Sequence, residues 1–261
     1  VEEPENSLSP HYLGRIVNAL NTMASQGDAQ AIIATHAPSM LRRVNPEYIR
    51  YLRLSETRQS QITNIQLPEK SDEAHKFVRE AVQAFPEIYF SRLVILGEGD
   101  SEEIVLPRIL QAKNVFVDDS AITIAPLGGR HVNHFWRLLS ALQIPYLTLL
   151  DLDVARYQGG WGRVKYVNDQ LKKLKQKKSL TLEVPAWNTT DKPIKTYHFF
   201  EITEGQLVSI FDELENRGVF FSAPMDLDFA LLLAYPEAYG VVEEEPEEQT
   251  IKSVLGKSYY D

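Results

Sequence analysis

Residues Leu93 to Leu106 read LVILGEGDSEEIVL, and this stretch decides the fold class. Leu93 to Leu96 form an apolar run of strand length. Gly97, Gly99 and Asp100 then punctuate a turn, and a helical pattern begins near Ser101. The turn sets Glu98 at the carboxyl end of a strand, where open α/β sheets bind their ligands. Glu102 follows four residues later, so both carboxylates face one space if the turn leads straight into helix. A plainer reading stays open: Asp100 with Glu103 fits a capping box, and Glu98 fits a solvated loop acid.

The bounds set by composition are ordinary. A chain of 261 residues holds one large domain or two small ones, with 44% hydrophobic and 24% charged residues supporting a normal core. The absence of cysteine excludes disulfides and thiolate metal sites. No apolar run approaches a membrane span and the first residues lack a signal-peptide layout, so the expected setting is cytoplasmic, away from membranes. A formal net charge of −9 argues against unspecific nucleic-acid binding by the whole surface. It leaves room for a local basic groove, or for acids clustered around cations.

Downstream, Ala121 to Pro126 reads as the next strand. Leu127-Gly128-Gly129-Arg130 follows, then a helix through Phe135, Leu138, Leu139 and Leu142. The paired glycines permit close backbone approach, with Arg130 placed to meet a phosphate; a plain tight turn is the alternative. His131 and His134 have a ligand-like spacing but no other ligand in the run, and read as surface histidines. Pro145 then leads into a strand from Tyr146 to Leu150 that ends Asp151-Leu152-Asp153. Strand alternation would put both aspartates on one face. Two such carboxylates resist joint ionisation unless a cation sits between them, and a hard, oxygen-seeking ion such as Mg²⁺ suits an all-carboxylate site.

The amino-terminal part has its own logic. Val1-Glu2-Glu3-Pro4 begins as if cut within a strand, and Tyr12, Ile16, Val17, Leu20 and Met23 recur at helical spacing. Ala31 to Thr35 reads as a strand ending at His36. Acids at one strand end and a histidine at the next suit the back half of a nucleotide-hydrolysing α/β domain. The segment resembles the carboxyl part of an ABC-type ATPase head. The resemblance would set Glu2 and Glu3 at the metal-associated and water-activating acids, and His36 at the switch histidine. Glu2 departs from the usual aspartate, and the chain has no GxxxxGK[ST] phosphate cradle. Arg50 to Leu54 and Ile62 to Leu67 are expected to be strands, Ser71 to Phe85 a helix stopped by Pro86, and the domain boundary falls near Pro86 to Ser91.

The order strand–Glu98, helix with Glu102, strand–Gly-Gly turn, helix, strand–Asp151-Leu-Asp153 is similar to a Toprim domain, the metal-binding fold of topoisomerases, primases and related nucleases. The EGxSE form from Glu98 to Glu102, behind an ABC-type half-domain, resembles class 2 of the OLD (overcoming lysogenization defect) family of ATPase–nucleases. The resemblance implies an α/β chain: residues 1–88 as an incomplete ATPase part, and 89–261 as a Toprim domain. That domain would have a central, mostly parallel sheet flanked by helices, with a helical insertion at about 155–195.

Within that insertion a helix is expected from Val164 to Lys178. Lys172, Lys173, Lys175, Lys177 and Lys178 make the strongest basic patch, suited to a DNA backbone or to a solvated helix end. Tyr197 to Ile202 reads as a strand, Glu204 to Asn216 as a helix, and Val219 to Phe221 as a strand. Asp226 and Asp228 follow, a second acidic pair that matches the segment supplying further metal-site acids in class 2. Asp226 also fits a helix cap. Lys257, in VLGK, matches a class 2 lysine near the metals.

The resemblance implies DNA cleavage or nicking at two Mg²⁺ ions, with Mn²⁺ as substitute. Glu98, Glu102, Asp151, Asp153, Asp226 and Asp228 would be ligands, and Lys257 would stabilise the scissile phosphate. It also implies ATP only for the full-length protein, a homo-oligomer formed through the ATPase, a helicase encoded alongside, and a role in phage defence. Two alternatives are a haloacid-dehalogenase-type phosphatase built on Asp151-x-Asp153, and a Toprim module that docks DNA or dimerises without catalysis. The first wants Thr or Val two residues beyond its second aspartate, where Ala155 stands, and leaves the Glu98 strand without a role.

Overall fold

The computed structural model describes residues 1–6, 8–55, 57–65, 83–128, 132–154, 159–174 and 204–240. The expectations for Arg130, His131, Lys175, the strand at Tyr197 to Ile202, Lys257 and nearly all of the helix at Ser71 to Phe85 lie outside those residues. The chain divides into two compact units. One comprises Val1–Val94, Phe116–Ala125 and His131–Pro145; the other comprises Ile95–Val115, Pro126–Arg130 and Tyr146–Asp261.

In the first unit, α1 spans Pro10–Ser25 and begins with proline at a position that needs no amide donor. Its inward line is Leu13 and Val17, one turn apart, packed on Met40 of the short helix α2, Pro38–Leu41. Tyr12 and Met23, expected on the apolar face, are exposed, and Leu13 takes the central place. The strand expected over Ala31 to Thr35 is reduced to a parallel bridge. The Val1 amino group donates to the Ile32 carbonyl at 2.9 Å, Ala34 N–H to Val1 at 3.0 Å, and Glu3 N–H to Ala34 at 2.8 Å. Strands β1 (Arg50–Leu54) and β2 (Ser60–Asn64) pair antiparallel with Arg50 opposite Asn64. β2 starts two residues earlier than expected because Ser55 closes the turn on Gln59 in both directions, at 2.9 and 3.0 Å.

The main sheet has four parallel strands in the order β4-β3-β5-β6: β3 Leu93–Gly97, β4 Ile122–Pro126, β5 Tyr146–Asp151 and β6 Val219–Ser222. The central position of β3 explains its unbroken apolar run. Val94 and Leu96 are fully buried on one face, and Leu93 and Ile95 are half-buried on the other, so neither face calls for polar residues. β5 runs beside β6 with Asp151 opposite Ser222, so the two strands end level. In the second unit, α3 (Asp100–Ala112) follows β3, and α5 (Trp161–Lys173) buries Trp161, Val164, Val167 and Leu171 along one face. α4, Val132–Leu142, belongs to the first unit. α6 (Glu204–Glu215) packs on β6, with Phe211 edge-on to Phe221 at 5.8 Å between ring centres. α7, Leu227–Ala234, lies against α3.

α5 begins three residues before the expected start, at Trp161. Gly160, at φ 56°, lets the chain turn into the helix, and its N–H donates to Leu152 at 2.6 Å.

Candidate metal centre

All six acids named from the sequence lie in the second unit, at the carboxyl ends of its strands or on the helices that follow them. Glu98 follows β3 directly. Its Oε2 accepts the Asp151 backbone N–H at 2.9 Å, which ties the ends of β3 and β5 together. Glu102 is 2% exposed, and its Oε2 accepts the Gly99 N–H at 2.7 Å. The capping contact therefore joins Gly99 to Glu102, not Asp100 to Glu103, because α3 starts at Asp100 and the residue three beyond its Gly99 cap is Glu102.

Glu102 reaches this position by lying over Gly97. A Cβ added at Gly97 would stand 2.8 Å from Glu102 Cγ and closer still to its Cβ. Glycine is needed here for space; its backbone does not have a positive φ.

Asp151 ends β5, but Asp153 does not owe its place to strand alternation. The strand stops at Asp151, and Asp153 adopts a left-handed φ of 53°. The post-strand turn is instead pinned to the segment after β6. Leu152 N–H donates to Ser222 at 3.1 Å, Asp153 N–H to Met225 at 2.8 Å and Val154 N–H to Pro224 at 3.0 Å. Asp153 is 6% exposed.

Asp226 caps α7: its Oδ1 accepts Phe229 N–H at 2.8 Å, so the cap expected from the sequence is present. Asp228, in the first turn of α7, accepts a hydrogen bond from Ser101 of α3 at 2.9 Å. Asparagine at 226 keeps a cap and removes a charge, whereas alanine removes both. Asp226→Ala is therefore expected to be about 1 kcal/mol less stable than Asp226→Asn, a gap of roughly 2–4 °C in thermal melting. Equal melting curves would mean that the cap carries no stability.

Arg163 belongs to no motif in the sequence. From α5 its guanidinium donates through Nη2 to Glu98 Oε1 at 2.8 Å and through Nε to Asp153 Oδ2 at 2.9 Å, with Nη2 also on Asp153 Oδ2. Burial disfavours its charge, but Glu98 and Asp153 more than offset this and hold its pKa above the ordinary arginine value. The available signal was spacing: Trp161, Val164, Val167 and Leu171 define the packed face, and Arg163 borders it.

Asp151 receives no such partner. Its Oδ1 is buried, and among the described residues no donor reaches it. Burial, followed by the negative charges of Glu98, Glu102, Asp153 and Asp226, pushes its carboxyl up to about 8. Burial also raises Glu102, with Glu98 and Asp228 adding to the rise against the Gly99 hydrogen bond. Among the described residues no three carboxylate or imidazole groups converge as a ready-made metal cage. Arg163 instead engages one oxygen of Glu98 and one of Asp153. The donor chemistry nonetheless fits a hard divalent cation: every group is an oxygen, the local charge is strongly negative, and Asp151 Oδ1 lacks a positive partner.

In the first unit His36 Nδ1 lies 3.1 Å from Glu3 Oε1 and 3.9 Å from Glu5 Oε1, on an exposed surface. Glu5 is the better-placed acid. It accepts Thr35 Oγ1 at 2.6 Å and His36 N–H at 3.4 Å, and its carboxyl lies below the usual range: burial raises it, but these bonds and His36 outweigh that. Glu2 contributes its backbone to the bridge with Ala34. Lys172 and Lys173 are exposed at the end of α5, with Lys172 Nζ 3.8 Å from Asp169.

Residues 89–153 match the family model described as the overcoming lysogenization defect protein-like Toprim domain. A curated relative, endonuclease GajA of Bacillus cereus (strain HuB5-5), is 25% identical over 225 residues, covering 76% of this chain and 30% of its own length. The chain thus spans under a third of that relative. Among solved structures, the C-terminal region of the Xanthomonas campestris pv. campestris OLD protein is 21% identical, with a TM-score of 0.42 over 65% of this chain and 70% of that one. The corresponding region of the Burkholderia pseudomallei OLD protein is 20% identical, with a TM-score of 0.38 over 64% of this chain and 72% of that one. The matched stretch, residues 89–153, runs through Glu98 and Glu102 to the Asp151-Leu152-Asp153 turn, so the part of the chain that bears four of the six acids is the part similar to the OLD-like Toprim domain.

Proposed function

We propose that this chain is the DNA-cleaving part of an ATP-regulated, OLD-type nuclease, working with divalent metal at the acidic site of its second unit. The observation that carries the reading is Asp151, a half-buried carboxylate amid four other acids, whose buried Oδ1 meets no donor among the described residues. Its surroundings favour a cation over a proton once the pH passes its raised pKa. The relative named as an endonuclease supports hydrolysis of a phosphodiester over the phosphatase alternative.

Glu98, Glu102, Asp151 and Asp153, with Asp226 and Asp228, would hold two Mg²⁺ ions, with Mn²⁺ able to substitute. Bound metal supplies Lewis acidity, which lowers the pKa of water and stabilises charge on the phosphate. The protein's own contribution is positional. Gly97 clears space for Glu102, the Glu98 bond to Asp151 N–H sets the distance between two strand ends, and the Ser222–Met225 segment fixes Asp153. Lys257 would stabilise the developing phosphate charge, and Arg130 with Lys172, Lys173 and Lys175 would track the DNA backbone. Residues 1–88 would form the end of an ABC-type ATPase domain with Glu2, Glu3 and His36 at its nucleotide side, within a homo-oligomer and alongside a helicase.

The test is supercoiled plasmid incubated with Mg²⁺ or Mn²⁺ and no ATP, beside an EDTA control and Asp151→Ala. Nicking or linearisation that needs metal and disappears in the variant is the expected result. Equal cleavage by the variant would refute the site. A chain that binds DNA but neither metal would favour the docking module, for which the pairing of Arg163 with two of the acids is the supporting observation.

A further inference from the structure

We propose that Arg163 is a tethered cation that holds the acidic site in its metal-free state and must leave Glu98 and Asp153 before divalent metal can occupy it. The inference rests on the metal-centre reading above and names the residue that controls loading of that site.

Three observations carry it. First, the guanidinium spans two acids that come from different strand ends, Glu98 after β3 and Asp153 after β5, and hydrogen-bonds to both. A planar fork matched to two carboxylates does what a bridging ion would do, neutralising charge and fixing separation. Second, the neutralisation is selective. Glu98 and Asp153 have a positive partner, whereas Asp151 Oδ1, beside them, has no donor among the described residues. Third, the arginine arrives from α5, whose buried face of Trp161, Val164, Val167 and Leu171 anchors the helix without using Arg163. Its side chain retains 25% exposure, so it can swing toward solvent without unpacking the helix.

Among the described residues, the groups facing the guanidinium come from several elements. From the strand ends these are Glu98, Asp151 and Asp153; from α3, Glu102; from the segment before α7, Asp226; and on α5 itself Tyr166, whose hydroxyl is influenced by Arg163 and Glu98. Every charged group among them except Arg163 is an acid. A divalent ion entering this set places two positive charges where one already stands, so guanidinium and metal compete for the same oxygens. Arg163 thereby sets a threshold for metal binding: it keeps the acids from repelling one another when the ion is scarce and weakens the ion's affinity by the strength of its own contacts.

The experiment titrates the chain with Mn²⁺ alone, then Mg²⁺ alone, by calorimetry and by thermal melting, for wild type, Arg163→Gln, Arg163→Lys and Asp151→Ala. Arg163→Gln should bind the ion roughly tenfold tighter or more while melting lower without metal, so that its metal-induced rise in melting temperature exceeds that of wild type. Arg163→Lys, which keeps a charge but loses the bidentate fork, should fall between the two. A parallel readout follows the Arg163 Nε–H resonance in wild type, assigned by its loss in Arg163→Gln. Mg²⁺ should move it toward the position of a solvent-exposed arginine.

Weaker metal binding by Arg163→Gln, with a native circular-dichroism spectrum, would overturn the inference and make Arg163 a scaffold for the loaded site. An unmoved resonance at saturating Mg²⁺ would overturn it equally, and does not depend on any variant folding. Failure of both wild type and Arg163→Gln to bind either ion would instead remove the metal-centre reading itself, a result distinct from the first two.

Discussion

Asp151→Asn is expected to lose plasmid cleavage by about 100-fold or more while making the metal-free protein more stable. Loss of even a group supporting a ligand costs 10–100-fold in typical metal sites, and Asp151 is expected to be a direct ligand. The stability gain has a separate cause. The folded protein raises the Asp151 carboxyl to about 8, chiefly by burial and then by Glu98, Glu102, Asp153 and Asp226. The unfolded chain would keep it near the ordinary value of about 3.9. A raised pKa means that the folded state binds the proton more tightly. The stability this contributes is therefore complete below about pH 4 and is lost as the pH climbs through about 8. Asparagine removes that dependence. Melting curves without metal should separate progressively from about pH 4 to 8, with the variant higher, and then run parallel. Added Mg²⁺ should raise wild type and leave the variant nearly unmoved. If the two proteins show the same slope of stability with pH, Asp151 is not the strained group.

Gly97→Ala is expected to cost about 1–3 kcal/mol, or roughly 2–12 °C in melting temperature, and to displace Glu102. The methyl would overlap the Cβ–Cγ stem of Glu102, which is itself 2% exposed and cannot retreat into solvent without releasing Gly99 N–H. The stem sits on a helix that packs against α7, so relief requires α3 to shift. Gly99→Ala is the contrast: a methyl there would lie 3.9 Å from Glu102 Oε2, ordinary contact, and should cost less than 1 kcal/mol. Equal melting temperatures for the two variants would show that close approach at Gly97 has no energetic consequence. Metal titration of Gly97→Ala carries a second readout, since a displaced Glu102 should weaken binding even where the fold survives.

These two variants and Arg163 separate three properties of one site. Asp151 supplies a buried oxygen without a donor among the described residues, Gly97 supplies room, and Arg163 supplies a positive partner that is present before any ion arrives. Acids that share a half-buried space resist joint ionisation, and Arg163 offsets that repulsion for Glu98 and Asp153.

The sequence by itself determined the parallel sheet and its acid-bearing edge. Leu93–Leu96 and Tyr146–Leu150 are apolar runs of strand length that end in Gly97-Glu98 and in Asp151-Leu152-Asp153, and local signals of that kind depend only on neighbours in the chain. The Asp226 cap was legible for the same reason. Tertiary structure decided what the acids do to one another. Strand alternation predicts Asp153 on one face with Asp151, but Asp153 takes its place through a left-handed turn hydrogen-bonded to Met225, more than seventy residues away. Arg163 lies sixty-five residues from Glu98 and had no motif to announce it. Its partners follow from how α5 packs, and a long side chain meets whatever carboxylates that packing brings within reach. Local pattern fixes which residues end a strand; only the packed chain fixes which charges share a space, since Coulomb interaction depends on distance in space and on burial, and neither is written in sequence order.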